Sequence, residues 1–149
     1  MANSLCEVLL TEGPLAPAVE QPSAGAVVNF WGVVRELEGK REIEGIDYEA
    51  HEAMATHQLL SVADEAVSKF ALGAVIIRHR IGFVGVGEAS LFLQVKAKHR
   101  QAAFEASVWL VDELKRKVPI WKHPKFKIDP PPPRLRRGKQ REQASLMRK

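Results

Sequence analysis

The sequence predicts an α+β domain built around a mainly antiparallel sheet. Three observations carry the prediction: two-residue alternation over residues 46–50, 74–81 and 89–97, helical spacing over 54–70 and 101–117, and a short glycine-rich link at 82–87.

The first strand is expected from Cys6 to Leu10, followed by a connection marked by Pro14, Pro17 and Pro22. Residues 25–34 are nearly all apolar, with β-branched and aromatic side chains, and read as a central strand covered on both faces. Charged residues around Gly39 predict a loop over 35–42; after it Ile46, Tyr48 and Ala50 alternate with Asp47 and Glu49. Leu59, Ala63, Val67 and Phe70 recur at helical spacing, and Gly73 supplies a stop signal.

Val75, Ile77 and Ile81 then alternate with Arg78 and Arg80, and Leu91, Leu93 and Val95 with Phe92, Gln94 and Lys96. The glycines between these strands lead into a strand and not a helix, so a hairpin is expected instead of a dinucleotide fingerprint. In the second helix Phe104, Val108, Val111 and Leu114 form one stripe. Pro119 disfavours helix at Val118, and residues 120–128 read as a last short strand. Four prolines at 130–133 and the polar, basic residues after them place the end of the folded domain near Asp129: residues 1–129 are one domain, 130–149 a tail expected to be disordered.

A chain of 149 residues can bury a core without staples. Its 46% hydrophobic and 27% charged content is that of a globular protein. The N-terminus lacks a basic stretch before an apolar run, and no apolar run reaches membrane-spanning length, so a cytoplasmic location is expected. Cys6, the only cysteine, excludes an internal disulfide and a thiolate cluster; in an apolar strand it reads as a structural thiol. Any sulfur chemistry needs an outside donor. The net charge of +4 is uneven: residues 1–114 hold 9 Lys/Arg against 16 Asp/Glu, residues 115–149 hold 13 against 2.

Several active sites are excluded by spacing. His51-Glu52 has no histidine four residues after His51, so the zinc-protease helix is absent. The other histidines are scattered; neither a metal site nor a resident cofactor is expected. No nucleophile elbow or phosphate loop occurs. Two cationic groups remain. Lys98, His99 and Arg100 flank the start of the second helix, where free N–H groups already favour anions. Basic residues there cost the helix stability, which points to an anionic ligand; a solvated turn is the alternative. Lys115 and Lys122, seven residues apart, bracket Pro119 beside Ile120 and Trp121. Apolar neighbours suit a lysine to proton transfer or oxyanion stabilisation, whereas lysines that merely compensate a helix C-terminus are the alternative. A continuous helix holds His99 and Lys115 roughly 20 Å or more apart. If both groups handle one anion, the pocket lies between two subunits.

Residues 25–35 (Gly-Ala-Val-Val-Asn-Phe-Trp-Gly-Val-Val-Arg), 48–54, His79-Arg80-Ile81-Gly82, Val86-Gly87-Glu88, Lys98-His99-Arg100 and Val118-Pro119-Ile120-Trp121-Lys122 together resemble the molybdopterin synthase large-subunit family. The likeness runs in the family's order over about residues 5–123. It implies an α/β hammerhead-type fold and a homodimer within a heterotetramer that includes a small ubiquitin-like sulfur carrier. The implied activity is that of a sulfurtransferase in molybdenum cofactor biosynthesis. The carrier's C-terminal Gly-Gly thiocarboxylate would convert cyclic pyranopterin monophosphate to molybdopterin. The resemblance makes Lys115 and Lys122 catalytic. It assigns substrate binding to Val33, Val34, Arg35, Lys115, Lys122 and His123, with His99 and Arg100 reaching the pterin phosphate from the partner subunit. His123-Pro124 and the proline-rich end depart from the family pattern.

The principal rival reading is a nucleic-acid binder using Arg134, Arg136, Arg137, Lys139 and Arg141. The acidic folded part and the lack of an aromatic platform pattern argue against it. A scaffold that binds a ubiquitin-like partner without catalysis is a third reading; retention of Arg35, His99, Arg100, Lys115 and Lys122 argues against that one.

Overall fold

A computed structural model describes residues 5–17 and 24–128. The proposed tail, and with it the boundary at Asp129, lies outside them. Eight strands and two helices follow in the order β1 (Cys6–Thr11), β2 (Ala26–Val33), β3 (Leu37–Glu38), β4 (Arg41–Ala50), α1 (Glu52–Phe70), β5 (Ala74–Arg80), β6 (Gly82–Gly85), β7 (Ala89–Ala97), α2 (Arg100–Lys117) and β8 (Ile120–Phe126). The first sheet has the order β1-β5-β7-β2, in which only β1 and β5 run parallel. In the second sheet β4 is flanked by β6 and β8, both antiparallel to it, and its first residues pair with β3.

The alternation read in β5 and β7 decides where the core sits. Val75 and Ile77 on β5, with Leu93 and Val95 on β7, turn one face of the first sheet toward α1 and α2. Leu59 and Val62 from α1 and Leu110 from α2 complete that core, all buried. Truncating such a leucine to alanine costs about 2–5 kcal/mol, because the cavity left behind closes only in part. A smaller core of Val34, Ile43, Ile46, Tyr48 and Val84 lies on the second sheet.

Four local expectations are corrected. The strand buried on both faces is β7, not β2; β2 is an edge strand with Phe30, Trp31 and Val33 exposed. Its apolar run on two faces has another use: Val28 packs on the core, and Phe30, Trp31 and Val33 border a cavity. The loop expected over 35–42 contains β3, folded back on β4 with Gly39 at φ +64° in the turn. The link between β5 and β7 is no simple hairpin: it carries β6, which pairs with β4. Helix α1 ends at Ala71, itself left-handed at φ 53°, before Gly73 is reached; buried Leu72 follows it and donates its N–H to Val67 O at 3.1 Å. At the other end of α1 the His51 side chain accepts from the Met54 N–H at 3.2 Å, a capping role that accounts for this histidine. Among the described residues no helix is long and apolar enough to cross a membrane.

Candidate active site

A cavity of ≈ 500 Å³ opens where the C-terminal end of α2 meets both sheets. Its floor is one row across the first sheet. His79 on β5 stands opposite Leu91 on β7, which stands opposite Gly32 on β2, and all three line the cavity. Directly paired residues share a face. A Cβ added at Gly32 would sit 3.2 Å from the Leu91 Cβ, so glycine keeps this part of the floor low. Leu59, Val111, Leu114 and Val118 form an apolar wall, and Phe30 and Tyr48 add aromatic edges.

Helix α2 delivers Lys115 in its last turn; extended backbone at Val118 and Pro119 then ends the helix and turns the chain into β8. In β8, Lys122 pairs with Tyr48 of β4 and so enters the cavity beside it. Arg35 joins them just past β2, with Val33 also on the lining. Among the described residues no acidic side chain lines this cavity. Among the described residues Arg35, Lys115 and Lys122 have no ion-pair partner, whereas neighbouring Arg116 and Lys117 both bind Glu113, at 3.2 and 2.9 Å. Glu113 is held below the usual carboxylate range, chiefly by the hydrogen bond from Lys117. Three uncompensated cations around an apolar floor make a site for an anionic, partly apolar ligand.

The remaining sequence candidates lie elsewhere in the chain. Val34 is buried in the smaller core and touches the region through its backbone, donating to Glu88 O at 3.0 Å and accepting from the Gly87 N–H at 2.9 Å. His123, one residue past Lys122, is exposed, off the cavity lining and 3.1 Å from Glu49 through Nε2. His99 and Arg100 are exposed at the opposite end of α2. His99 is the N-cap position but makes no side-chain cap bond, and the first turn holds no acid. Along this helix, 16 residues from His99 to Lys115 span about 24 Å, and neither His99 nor Arg100 lines the cavity.

Cys6 is half-buried, and its thiol is pushed up to about 12 by burial and, secondarily, by Asp64, which makes it a poor nucleophile. Among the described residues no cluster of three or more metal-ligating side chains occurs.

Tyr48, His79 and Ser90 line the cavity without having been singled out by residue type. A signal was present: in β5, His79 has the parity of Val75 and Ile77, a polar residue at an inward position. Burial lowers the His79 pKa and so favours the neutral ring, opposed by the contact of Nδ1 with Arg80 O at 2.6 Å.

A family model described as MoaE protein matches residues 8–117. The molybdopterin synthase catalytic subunit of Pyrococcus abyssi is 42% identical over 104 residues, which is 70% of this chain and 70% of that protein. Among solved structures, molybdopterin synthase from Staphylococcus aureus superposes with a TM-score of 0.75 at 28% identity, over 80% of this chain and 91% of that one. A chain from the protein–protein complex of subunits 1 and 2 of the Helicobacter pylori 26695 molybdopterin-converting factor superposes with a TM-score of 0.58 at 25% identity, over 68% of this chain and 66% of that one.

Proposed function

The chain belongs to the MoaE protein family of molybdopterin synthase catalytic subunits, and from that premise we propose that it transfers sulfur from the thiocarboxylated C-terminus of a small carrier subunit to cyclic pyranopterin monophosphate. The observation that carries this reading is the acid-free cavity lined by Arg35, Lys115 and Lys122, all without ion-pair partners among the described residues.

The chemistry needs such a site. Attack of the carrier's thiocarboxylate sulfur on an electrophilic pterin carbon, with an oxygen substituent leaving that carbon with its electron pair, gives a thioester bridging the two. Water must then attack the acyl carbon, and the carbonyl oxygen gathers negative charge. Breaking the acyl carbon–sulfur bond then releases the carrier as a carboxylate and leaves sulfur on the pterin. A lysine ammonium fixed near that oxygen stabilises the charge more in the transition state than in the ground state. Lys115 and Lys122 take this role. Arg35 binds an anionic group of the substrate, with Val33 beside it.

His99 and Arg100 serve the cavity of a second copy. Supporting this are their exposure, an N-terminal helix turn without acids, and a helix too long to bring them to Lys115 of their own chain. The homodimer, its heterotetramer with two carriers, the hammerhead-type description of the fold and a cytoplasmic site of action belong to the same proposal. The likeness to a chain from the Helicobacter pylori complex of two subunits supports a partner subunit. His123 and Val34 contribute to substrate binding indirectly, His123 through its contact with Glu49, and Val34, next to Arg35 in the chain, through its backbone bonds to Gly87 and Glu88.

Reconstitution tests the proposal: the purified chain, a thiocarboxylated carrier and cyclic pyranopterin monophosphate should together yield molybdopterin. Absence of product from a folded, carrier-bound chain would reject it.

A further inference from the structure

The cations explain how the cavity receives negative charge; its inner end has a different chemistry. His79 lines the cavity with its Nδ1 against Arg80 O, and a carbonyl oxygen can only accept, so Nδ1 carries the proton. In a neutral imidazole this leaves Nε2 as a bare acceptor. Burial, which lowers the tendency of this ring to protonate, favours the neutral form that either tautomer requires. No described residue donates to Nε2.

The ring is also held. Tyr48 packs edge-on against it, with centroids 5.1 Å apart and planes at 75°. Ser90, also on the lining, donates its hydroxyl weakly to Gly32 O at 3.4 Å. Tyr48, His79, Ser90 and Gly32 line the same cavity as Lys115 and Lys122. Every charged side chain among the described lining residues is a cation, and so a donor; a bare acceptor on that lining favours a ligand that brings a donor of its own.

We propose that His79 is a substrate-contacting, specificity-determining residue whose Nε2 accepts a hydrogen bond from a ring N–H of the pterin. The inference rests on the sulfur-transfer reading above and deepens it. A flat ring bearing N–H groups matches an acceptor that shares its cavity with the aromatic rings of Phe30 and Tyr48 and with Gly32. The carrier's acyl end, being anionic, matches the lysines instead.

Cyclic pyranopterin monophosphate is titrated into the full-length chain, wild type and variants, and carrier affinity is measured in parallel. His79→Asn can keep a donor to Arg80 O but has no acceptor where Nε2 stood; His79→Gln can return an oxygen to that place. His79→Asn should weaken pterin binding about tenfold or more, the loss expected when a buried hydrogen-bond partner is removed. His79→Gln should recover part of that loss, with carrier affinity unchanged in both. Wild-type pterin affinity in His79→Asn, or a loss of carrier affinity in place of pterin affinity, would overturn the assignment. Nitrogen-15 spectra of the wild-type ring give a test that needs no variant: Nε2 should be unprotonated, and its resonance should move when pterin is added. A protonated Nε2, or a resonance indifferent to pterin, would contradict it. A wild-type chain that failed to bind pterin at all would instead remove the sulfur-transfer reading on which the inference rests.

Discussion

Lys122 stands directly opposite Tyr48 in the antiparallel pairing of β8 with β4, and this register turns the second lysine into the cavity and the next residue, His123, away from it. A strand alternates faces at every residue, so position 123 cannot substitute for position 122 without a slip of the whole strand. The double exchange Lys122→His with His123→Lys keeps composition and charge and should be as impaired in sulfur transfer as Lys122→Ala. Recovery of activity in the exchanged protein would mean that β8 does not hold this register in the working enzyme.

The length of α2 gives a second prediction. If Lys115 serves one cavity and Arg100 the cavity of a second copy, Lys115→Ala and Arg100→Ala chains are each impaired alone but complement each other when mixed. Random reassortment of a twofold dimer leaves about a quarter of all sites with both native groups. Activity should therefore rise toward that fraction when the two chains are co-expressed and assayed at low pterin concentration. No gain on mixing, with dimers verified by sedimentation, would place both groups in one chain's site.

Residues after Asp129 are proposed to be dispensable. Prolines at 130–133 and the polar, basic composition beyond them offer little apolar surface to bury. A chain truncated at Asp129 should transfer sulfur at close to the wild-type rate. A large loss would show that the basic tail contributes to carrier or pterin binding, and loss of a nucleic-acid affinity instead would revive the rival use of Arg134, Arg136 and Arg137.

Much of this arrangement was legible in the sequence, for identifiable reasons. Alternation exposed β5 and β7 because Val75, Ile77, Leu93 and Val95 recur at every second residue on the face that meets the helices, and the 3.6-residue stripes exposed α1 and α2. The lysine pair was visible because Pro119 ends α2 between its members. What escaped was tertiary in origin. β3 has two residues and β6 four, each defined only by its pairing with β4, so neither has a periodicity to read. β2 looked central because apolar residues on both sides of a strand usually mean two covering layers, whereas here part of that surface borders a cavity. Tyr48 and His79 lie on different strands, β4 and β5, and meet only when the second sheet folds against the first.

The central claim is that Lys115 acts on charge that develops during transfer. In single-turnover sulfur transfer at saturating pterin and carrier, Lys115→Ala should be slower by on the order of 100-fold or more, the loss expected on removing one such electrostatic group. Its affinity for the carrier should change little, because the interaction belongs to the transition state. A Lys115→Ala chain that transferred sulfur at the wild-type rate, or whose slowness disappeared when more carrier was supplied, would contradict the account.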